Sequence, residues 1–331
     1  MIVIDGSFGE GGGQIVRTAI ALSAVTGTPV QIKDIRVGRS QPGLKAQHLK
    51  AIETVGRMSC AEYHGVDIGS TEITFTPHRI TGGAMRVDIG TAGSISLLIQ
   101  SVAPLGIVAS DRITLRLIGG TDVAWSPSID YTVHVFFEAL SRMGFNIRAR
   151  RIARGYYLRG GGVVDLEILP SSIHPHQFEA SKCRVVCGIS HASKLPIHVV
   201  RRQRTAAHEV LSSHGFKCDI LEELGAFESV GSGITLWCGH LGACSLGRRG
   251  LRAELVGEGA ASALVSELEG SVGVDLHLAD QLIPYLGLAG GGSLTVRELS
   301  DHTMTSIHVV EQLLNVSFVV EQVKNMIRIS L

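Results

Sequence analysis

A histidine near the carboxyl end of the chain and a glycine-rich segment near its start are best suited to chemistry. His302 stands directly before an amphipathic helical pattern that runs to Leu314. The segment from Asp5 to Thr18, DGSFGEGGGQIVRT, is a glycine-rich turn that leads into a second helical pattern. Helix starts offer unpaired backbone N–H groups and the positive end of the helix dipole, and both attract phosphate. The two segments therefore indicate phosphate chemistry with an imidazole as nucleophile.

The glycine-rich segment differs from the common nucleotide-binding motifs. No Gly-Lys-Ser/Thr sequence follows it, which excludes a P-loop, and Gln14 or Val16 stands where a dinucleotide fingerprint needs its last glycine. One alternative is a tight turn that needs glycine only for its positive φ. The run GEGGG holds more glycine than such a turn requires, so we favour a functional loop. Glu10 within it is a candidate ligand for a divalent metal.

Three arginines follow the glycine-rich segment closely. Arg17 lies one turn into the first helix, and Arg36 and Arg39 flank Gly38. Gln47 lies on the next helical segment. Guanidinium groups bind phosphate through two hydrogen bonds and stay charged. These residues form a candidate phosphate pocket, and the alternative is that the arginines are solvated surface residues.

His302 is one of fourteen histidines, so its position decides its interpretation. A neutral imidazole can attack phosphorus and form a phosphoramidate that keeps a high transfer potential. Asp280, upstream in the segment HLADQ, is placed to orient the imidazole through its second nitrogen, as in a catalytic triad. In the alternative interpretation the histidine only hydrogen-bonds at the start of the helix.

Composition excludes several classes of protein. The chain has 331 residues, and 30 lysines and arginines balance 30 aspartates and glutamates, which argues against coating a polyanion but permits a local basic site. The six cysteines include no CxxC pair, so a zinc finger is not indicated. The first residues carry no basic signal-peptide region, and no uninterrupted apolar stretch is long enough to span a bilayer. We expect a cytoplasmic protein with no membrane association.

Three segments repeat one order of helix, strand, helix and strand. They cover residues 13–77, 93–170 and 280–331, and their strands are short, rich in β-branched residues and bounded by glycine or proline. This order predicts an α/β (α+β) fold of three repeated βαβ-type units, with sheets and helices around a common core.

One stretch does not follow the repeat. Residues 177–272 read as a strand, a long helix, two strands and a further helix, which predicts an inserted smaller α/β domain. The predicted catalytic domain then consists of residues 1–176 and 273–331, with the insert between the second and third units.

Four motifs in their order along the chain resemble the RNA 3′-terminal phosphate cyclase family. They are DGSFGEGGGQIVRT, RVGRSQPGLKAQH, HLADQ and HTMTSIHVVEQLL. The resemblance covers essentially the whole chain, including the insert. The family's fold, three repeated α/β units with an inserted domain, agrees with the repeat found above.

The resemblance implies an ATP-dependent ligase that converts an RNA 3′-terminal phosphate into a 2′,3′-cyclic phosphate. A histidine–AMP adduct and an RNA(3′)pp(5′)A end are the implied intermediates, and His302 matches the nucleophile. The other implied catalytic residues are Glu10, Arg17, Arg36, Arg39, Gln47 and Asp280. The implied nucleotide-binding residues are Gln100, His277, Leu278, Ala279, Asp280 and Gln281, with 277–281 as a loop.

The resemblance also implies partners and a cofactor. ATP and RNA with a 3′-terminal phosphate are the expected substrates, Mg²⁺ or Mn²⁺ is the expected metal with Glu10 as its ligand, and a homodimer is an open alternative to a monomer. The lysine motif KxDG of other adenylylating enzymes is missing, since Val3 stands where its lysine would be.

Two features bear on which branch of the family the chain resembles. Ser306 stands where many members have asparagine, and serine also serves near a helix start. Non-catalytic members that act in ribosomal RNA maturation lack the nucleophilic histidine, so His302 favours the catalytic branch. An RNA-binding protein without turnover and a small-molecule transferase of similar fold remain the alternatives.

Overall fold

The computed structural model describes residues 1–180 and 185–331. The first unit contains β1 (Ile2–Asp5), α1 (Gly13–Thr26), β2 (Val30–Lys33), α2 (Ala46–Met58), β3 (Glu62–His64) and β4 (Ile73–Thr76). The strand before the glycine-rich loop therefore opens the unit. The repeated order is strand, helix, strand, helix, strand, strand, which adds to the helix-first pattern one strand before the first helix and a second strand after the second helix.

The second unit has the same order of elements. It contains β5 (Gly83–Asp88), α3 (Ile95–Val102), β6 (Ile113–Gly119), α4 (Ile129–Tyr131), α5 (Phe137–Arg142), β7 (Ile147–Ala153) and β8 (Gly162–Ile168). A 3₁₀ turn, Ala103–Ile107, extends α3, and a π-helical turn, Thr132–Phe136, joins α4 to α5.

An inserted domain interrupts the third unit after its first strand. The unit begins with β9 (Gln177–Phe178). The insert then contains β10 (Val185–Ser193), α6 (Ile197–Ser213), β11 (Lys217–Gly225), β12 (Gly231–Cys238), β13 (Leu241–Leu246) and α7 (Ala253–Glu269). The third unit resumes with α8 (Leu276–Ala289), β14 (Ser293–Val296), α9 (Asp301–Leu314), β15 (Val319–Val323) and β16 (Met326–Ser330).

The three units share one sheet topology. Their strand orders are β1-β2-β4-β3, β5-β6-β8-β7 and β9-β14-β16-β15. In each sheet the first pair is parallel and the other two pairs are antiparallel. The α/β class predicted from the repeat is confirmed, and each unit has the parallel βαβ element that the pattern indicates.

The sheet pairings refine the expected limits of the insert. Gln177 and Phe178, placed in the insert by the sequence pattern, pair with Ser293 and Leu294 of β14. They therefore belong to the third unit. The sequence pattern missed this, because a strand of two residues is too short to show which sheet it joins. The insert also has a third strand after its first helix, β13, beyond the two expected. The predicted strand 183–190 starts at residues outside the described ranges.

Two hydrophobic cores support this arrangement. The main core collects the buried faces of the six main helical segments of the three units, with Ile20, Leu98 and Val310 as members. The insert has its own core, where Ile234 of β12 packs with Leu264 of α7. None of the helices in residues 1–180 and 185–331 is both long and apolar enough to cross a membrane.

Candidate active site

The glycine-rich loop lies directly against the first turn of α9. Gly9 has a φ of +58° and Gly11 a φ of +54°, in the left-handed region that glycine adopts without strain. A Cβ at Gly9 would lie 2.5 Å from Oγ1 of Thr305. Glycine at this position therefore allows the loop after β1 to approach the helix that carries His302.

His302 is the second residue of α9. Ser300 caps this helix, since its Oγ accepts a hydrogen bond from the backbone N–H of Thr303 at 3.1 Å. The sequence predicted His302 just ahead of the helix, whereas in the structure it lies inside the first turn. The reason is that the capping residue comes before His302 in the chain and not after it. The histidine side chain is partly exposed, at 47%.

Gln14, at the start of α1, fixes the hydrogen bonding of the His302 ring. Its amide nitrogen Nε2 donates to Oδ2 of Asp280 at 2.9 Å, and its Oε1 lies 2.8 Å from Nδ1 of His302. The backbone carbonyl of His302 also accepts from Nε2 of Gln14, at 3.3 Å, and a carbonyl can only accept, so Oε1 faces the imidazole and Nδ1 carries the proton. In the neutral ring, Nε2 then holds the free lone pair of a nucleophile.

The predicted contact between Asp280 and His302 is therefore indirect. Gln14 stands between the two groups, and the relay links the first unit to both helices of the third. Sequence reasoning did not assign Gln14 a role, although it is the last residue of the GEGGGQ motif. An amide next to a glycine loop gives no signal of its own, because glutamine is common on helix surfaces.

Arg17 and Asp280 face each other across the cleft beside the relay. Burial lowers the pKa of Arg17 to about 10, and the charge of Asp280 opposes this decrease. Burial raises the pKa of Asp280 to about 7, and Arg17 opposes this increase while Asp275 adds to it. A cation and a carboxylate in a poorly hydrated cleft create the field that a phosphate ligand would meet.

Glu10 lies on the opposite side of the imidazole. Its Oε2 is 2.9 Å from a guanidinium nitrogen of Arg39 and 3.4 Å from Nε2 of His302. Both Glu10 and Arg39 are more than a third exposed, at 37% and 42%, so this ion pair contributes little to stability. The pair lies beside Nε2 of His302, and the catalytic role of Glu10 stays a prediction.

The start of α1 presents free backbone donors next to this group. Gly12 is its N-cap residue, and no side chain in the described part of the chain caps the helix. The first-turn N–H groups of α1 therefore remain available for an anion, beside Gln14 and Arg17. This agrees with the phosphate-binding turn expected from the glycine-rich sequence.

The HLADQ segment forms the first turns of α8 and not a loop. Leu278 and Ala279 point into the core, at 0% and 1% exposure. His277, Asp280 and Gln281 line the cleft. Helical spacing explains the split, since two of five consecutive residues must face the interior. The two apolar members of the predicted nucleotide-binding set thus support the helix from behind.

Of the three remaining predicted residues, one lines the cleft and two lie outside its lining. Gln100 of α3 lines it. Arg36 is buried, and its NH1 donates to the carbonyls of Gln41 and Gly43 at 2.9 and 2.7 Å, so these contacts stabilise its own loop. Gln47 lies at the start of α2 beside Gly93 of the second unit. Neither Arg36 nor Gln47 is in the lining of the cleft, and their catalytic roles remain predictions.

The cleft itself lies between the repeated units and the insert, and has a volume of about 560 Å³. That volume suits a nucleotide-sized ligand. The insert contributes Gly242, Ala243 and Cys244 of β13 and Ala263, Ser266 and Glu267 of α7 to its walls. Sequence reasoning missed this wall, because residues from a separate domain carry no local signal of what they face.

Asp275 holds the insert and α8 together beside the cleft. Its side chain caps α8 and also accepts hydrogen bonds from the Tyr131 hydroxyl at 2.7 Å and from the Gly242 backbone N–H at 2.8 Å. Burial raises the pKa of Asp275. Burial, and next the charge of Asp275, raise the pKa of nearby Glu267 to about 7.

Two groups of side chains offer ligands for a metal ion. Asp122, Asp130 and His191 lie close enough together to hold an ion. Arg154 already pairs with both carboxylates, at 3.1 and 2.6 Å, so this cluster contains its own cation. Glu10 offers a carboxylate next to the imidazole, and Mg²⁺ usually takes one or two carboxylates together with phosphates and water. Arg39 already pairs with this carboxylate at 2.9 Å, but both side chains are more than a third exposed, and the metal role of Glu10 stays a prediction.

The fold and the site together define a class: a protein of repeated α/β units with an inserted domain and a histidine-containing anion cleft. The model of the family described as RNA 3′-terminal phosphate cyclase matches residues 8–320. The chain belongs to this family.

Curated relatives match over all or nearly all of their length. An RNA 3′-terminal phosphate cyclase of Methanococcoides burtonii is 51% identical over 331 residues, which is 100% of both chains. The one of Archaeoglobus fulgidus is 46% identical and covers 95% of this chain and 96% of its own. The RNA 3′-terminal phosphate cyclase of Pyrococcus furiosus is 44% identical, and the match covers 94% of this chain and 93% of the relative.

Proposed function

We propose that this protein converts the 3′-terminal phosphate of RNA into a 2′,3′-cyclic phosphate at the expense of ATP. The observation that carries the proposal is the hydrogen-bonded relay from Asp280 through Gln14 to Nδ1 of His302. This relay leaves Nε2 of a neutral imidazole as the free nucleophile. The names of the relatives, RNA 3′-terminal phosphate cyclase, support the substrate.

In the first proposed step, Nε2 of His302 attacks the α-phosphorus of ATP. A P–N bond forms, the bond from that phosphorus to the bridging oxygen breaks, and pyrophosphate leaves. The imidazole ring gains positive charge as the bond forms, and the relay ends on the carboxylate of Asp280, which stabilises that charge. Arg17 and the free N–H groups of α1 are placed to bind the phosphate oxygens.

Glu10 is the proposed ligand of a divalent metal. Its carboxylate lies 3.4 Å from Nε2 of His302, so without a neighbouring cation it would oppose an incoming anionic phosphate. Arg39 neutralises part of this charge at 2.9 Å. A bound Mg²⁺ or Mn²⁺ would supply further neutralisation of the triphosphate charge. Arg39 and Glu10 also bracket the imidazole and so restrict its rotation.

The second and third proposed steps take place on RNA. An oxygen of the RNA 3′-phosphate attacks the phosphorus of the histidine-bound AMP, the P–N bond breaks, and an RNA(3′)pp(5′)A end forms. The neighbouring 2′-hydroxyl then attacks the RNA phosphorus and releases AMP. Both steps move a phosphoryl centre, so they depend mainly on positioning and charge neutralisation. The cleft between the units and the insert is the proposed place for both substrates.

The test is a chemical one. The protein is incubated with magnesium and ATP labelled at the α-phosphate, and the labelled peptide is mapped by mass spectrometry. We expect one AMP adduct on the peptide with His302, labile in acid and stable in alkali, and none in His302→Ala. The control is His64→Ala, since His64 is an exposed histidine of β3 that does not line the cleft.

Binding without turnover is the main alternative outcome. A protein that binds 3′-phosphorylated RNA but forms no adduct, and leaves the phosphate uncyclised, would contradict the proposal and favour a role in RNA maturation. Turnover of a metabolite in place of RNA would favour a small-molecule transferase. We also propose that the protein acts in the cytoplasm, where ATP and RNA are both available, which cell fractionation tests.

A further inference from the structure

Trp125 is the most exposed large apolar side chain in the described part of the structure. It is 98% exposed, and it lies in the lining of the same cleft as His302. Tryptophan offers a larger gain from burial than any other side chain, and folded proteins rarely leave it fully in water. An unburied tryptophan at the mouth of a cleft therefore indicates a ligand that covers it.

The backbone around Trp125 is anchored, so its exposure does not come from a loose loop. Trp125 has a φ of +65°, a conformation that bulky residues seldom adopt. On one side, Oγ of Ser126 donates to the carbonyl of Val123 at 3.0 Å, and Val123 is only 7% exposed. On the other side, Ser128 caps α4 and contacts Thr235 of the insert at 2.8 Å.

This arrangement holds one indole outward from a rigid turn. The turn connects β6 to α4, so it belongs to the second unit, while the insert supports its far end through Thr235. Strained backbone held by its surroundings occurs most often at ligand sites. The backbone of the turn thus carries the indole ring at a fixed position at the mouth of the cleft, so the turn needs no rearrangement when a ligand binds.

We propose that Trp125 is a stacking platform for a base at the 3′ end of the RNA substrate. The inference rests on the proposed function, because it assumes that RNA occupies this cleft. Single-stranded nucleic acid commonly binds through bases stacked on aromatic side chains, and stacking accepts any base. The terminal nucleotides are the part of an RNA that must always lie near the reacting phosphate, so they are the bases within reach of the cleft mouth.

The adenine of ATP is the other source of a base in this cleft. His302, Asp280 and Gln281 form the inner side of the main cleft, where Gln281 is only 7% exposed, whereas Trp125 on the outer side is 98% exposed. A nucleotide bound for attack by His302 would occupy the inner side. The RNA, which extends into solvent, would pass the mouth, and this favours RNA as the occupant.

The first experiment measures kinetics with a 3′-phosphorylated oligoribonucleotide. Trp125→Ala should raise the KM for RNA by at least about fivefold, the lower end of what removing one stacked base costs. Trp125→Phe should have a KM for RNA close to that of the wild-type protein. The yield of AMP adduct from ATP alone should not change in either variant. Ile68→Ala is the matched control, since Ile68 is 69% exposed and does not line the cleft.

The second experiment uses fluorescence, because the chain has only two tryptophans. Trp237 stacks on His134 with ring centroids 4.2 Å apart. Adding the oligoribonucleotide should quench the emission of the wild-type protein, and Trp125→Phe should lose this quenching. The comparison needs no replacement at Trp237, so it does not depend on a variant of a packed residue.

Each other outcome overturns the inference. An unchanged KM for RNA in Trp125→Ala, with a normal adduct yield, shows that the indole does not bind RNA while the proposed function stands. Quenching by ATP alone assigns the ring to adenine instead. Self-association in sedimentation that Trp125→Ala abolishes assigns it to contact with a second copy. Absence of both adduct and cyclisation in the wild type contradicts the proposed function itself.

Discussion

Gln14 contacts two residues that lie 266 and 288 positions further along the chain. Its side chain contacts Asp280 at one end and His302 at the other, and both contacts are shorter than 3 Å. A single amide thus determines which nitrogen of the imidazole carries the proton. The proposed chemistry depends on this tautomer, because only a free lone pair on Nε2 can attack phosphorus from the cleft.

Replacing Gln14 by leucine should therefore slow adenylylation more than it weakens ATP binding. The ring of His302 would lose the acceptor for its Nδ1 proton, and we expect the rate of adduct formation to fall about 10- to 100-fold. Single-turnover labelling with ATP measures it. Gln31→Leu is the control, since Gln31 pairs with Glu72 on the first sheet at 2.6 Å. Equal rates in both variants would contradict the relay.

Asp280 should make stability and activity depend on pH in opposite directions. Its folded-state pKa of about 7 lies above the ordinary value of 3.8, so the folded protein binds the proton more tightly than the unfolded one. Its contribution to stability is then fully present below about pH 4 and is lost as the pH rises to about 7. Adenylylation should decrease as the pH falls below about 7, because protonation removes the charge at the end of the relay.

The variant Asp280→Asn separates these effects. It should raise the free energy of unfolding at pH 8 by on the order of 1–3 kcal/mol, with little change near pH 4, and it should lower the adenylylation rate. Thermal melts at the two pH values measure the first effect. Asp165→Asn is the control, and it should lower the free energy of unfolding at pH 8. The reason is that a hydrogen bond from Arg116 lowers the pKa of Asp165. Equal stabilisation at both pH values would show that Asp280 is not held protonated by burial.

At the scale of elements, close approach of backbone segments forms the site. The glycine-rich loop fits against α9, and α1 starts beside α2 with almost no space between them. A Cβ at Gly13 would overlap the ring of His48, whose pKa burial lowers to about 3 and whose Nδ1 accepts from the Lys45 N–H at 3.0 Å. Glycine in this motif therefore serves packing as well as the turn.

Gly13→Ala should consequently destabilise the protein although alanine favours helices. The overlap would push α1 away from α2 at a cost of about 1–3 kcal/mol, more than the helix propensity gained. Urea unfolding measures this difference, and adduct formation should decrease because the start of α1 moves. Gly38→Ala is the control, since no atom lies within 4 Å of its added Cβ. A neutral Gly13→Ala would show that His48 can move aside.

For the whole molecule, the position of the insert matters most, because it forms one wall of the cleft. A buried ionic network holds it on the second unit. Arg154, at 0% exposure, pairs with Asp122 and Asp130 of that unit and with Glu223 of the insert, at 3.1, 2.6 and 2.9 Å. Buried His191 of β10 lies 3.4 Å from Asp122, and burial keeps its pKa well below the usual value.

Arg154→Met should therefore destabilise the protein strongly. It would leave buried Asp122 without its arginine, while Asp130 and Glu223 would keep only Arg151, and breaking a buried network in this way costs about 3–5 kcal/mol. Denaturant unfolding measures the loss, and hydrogen exchange in β10 and β11 should increase as the insert loosens. Arg202→Met, which breaks the exposed pair with Glu254, should cost under about 1 kcal/mol. Similar losses in the two variants would mean that the network does not hold the insert.

The amino-acid sequence by itself determined the elements and the residue types of the site. Helical periodicity predicted α6 and α7 to within about two residues of their observed ends, and the repeat predicted three units with an insert. Local patterns suffice for these features because helix faces, strand faces and glycine turns are properties of neighbouring residues. The position of His302 at a helix start follows from the same local rules.

Only the tertiary structure decided how these residues meet. It placed Gln14 between Asp280 and His302, turned Arg36 toward the carbonyls of its own loop, and set β9 in the sheet of the third unit across the insert. It also brought a second domain to the cleft as a wall. Each of these is a contact between segments far apart in the chain, and its energy depends on packing and burial, which no local pattern contains.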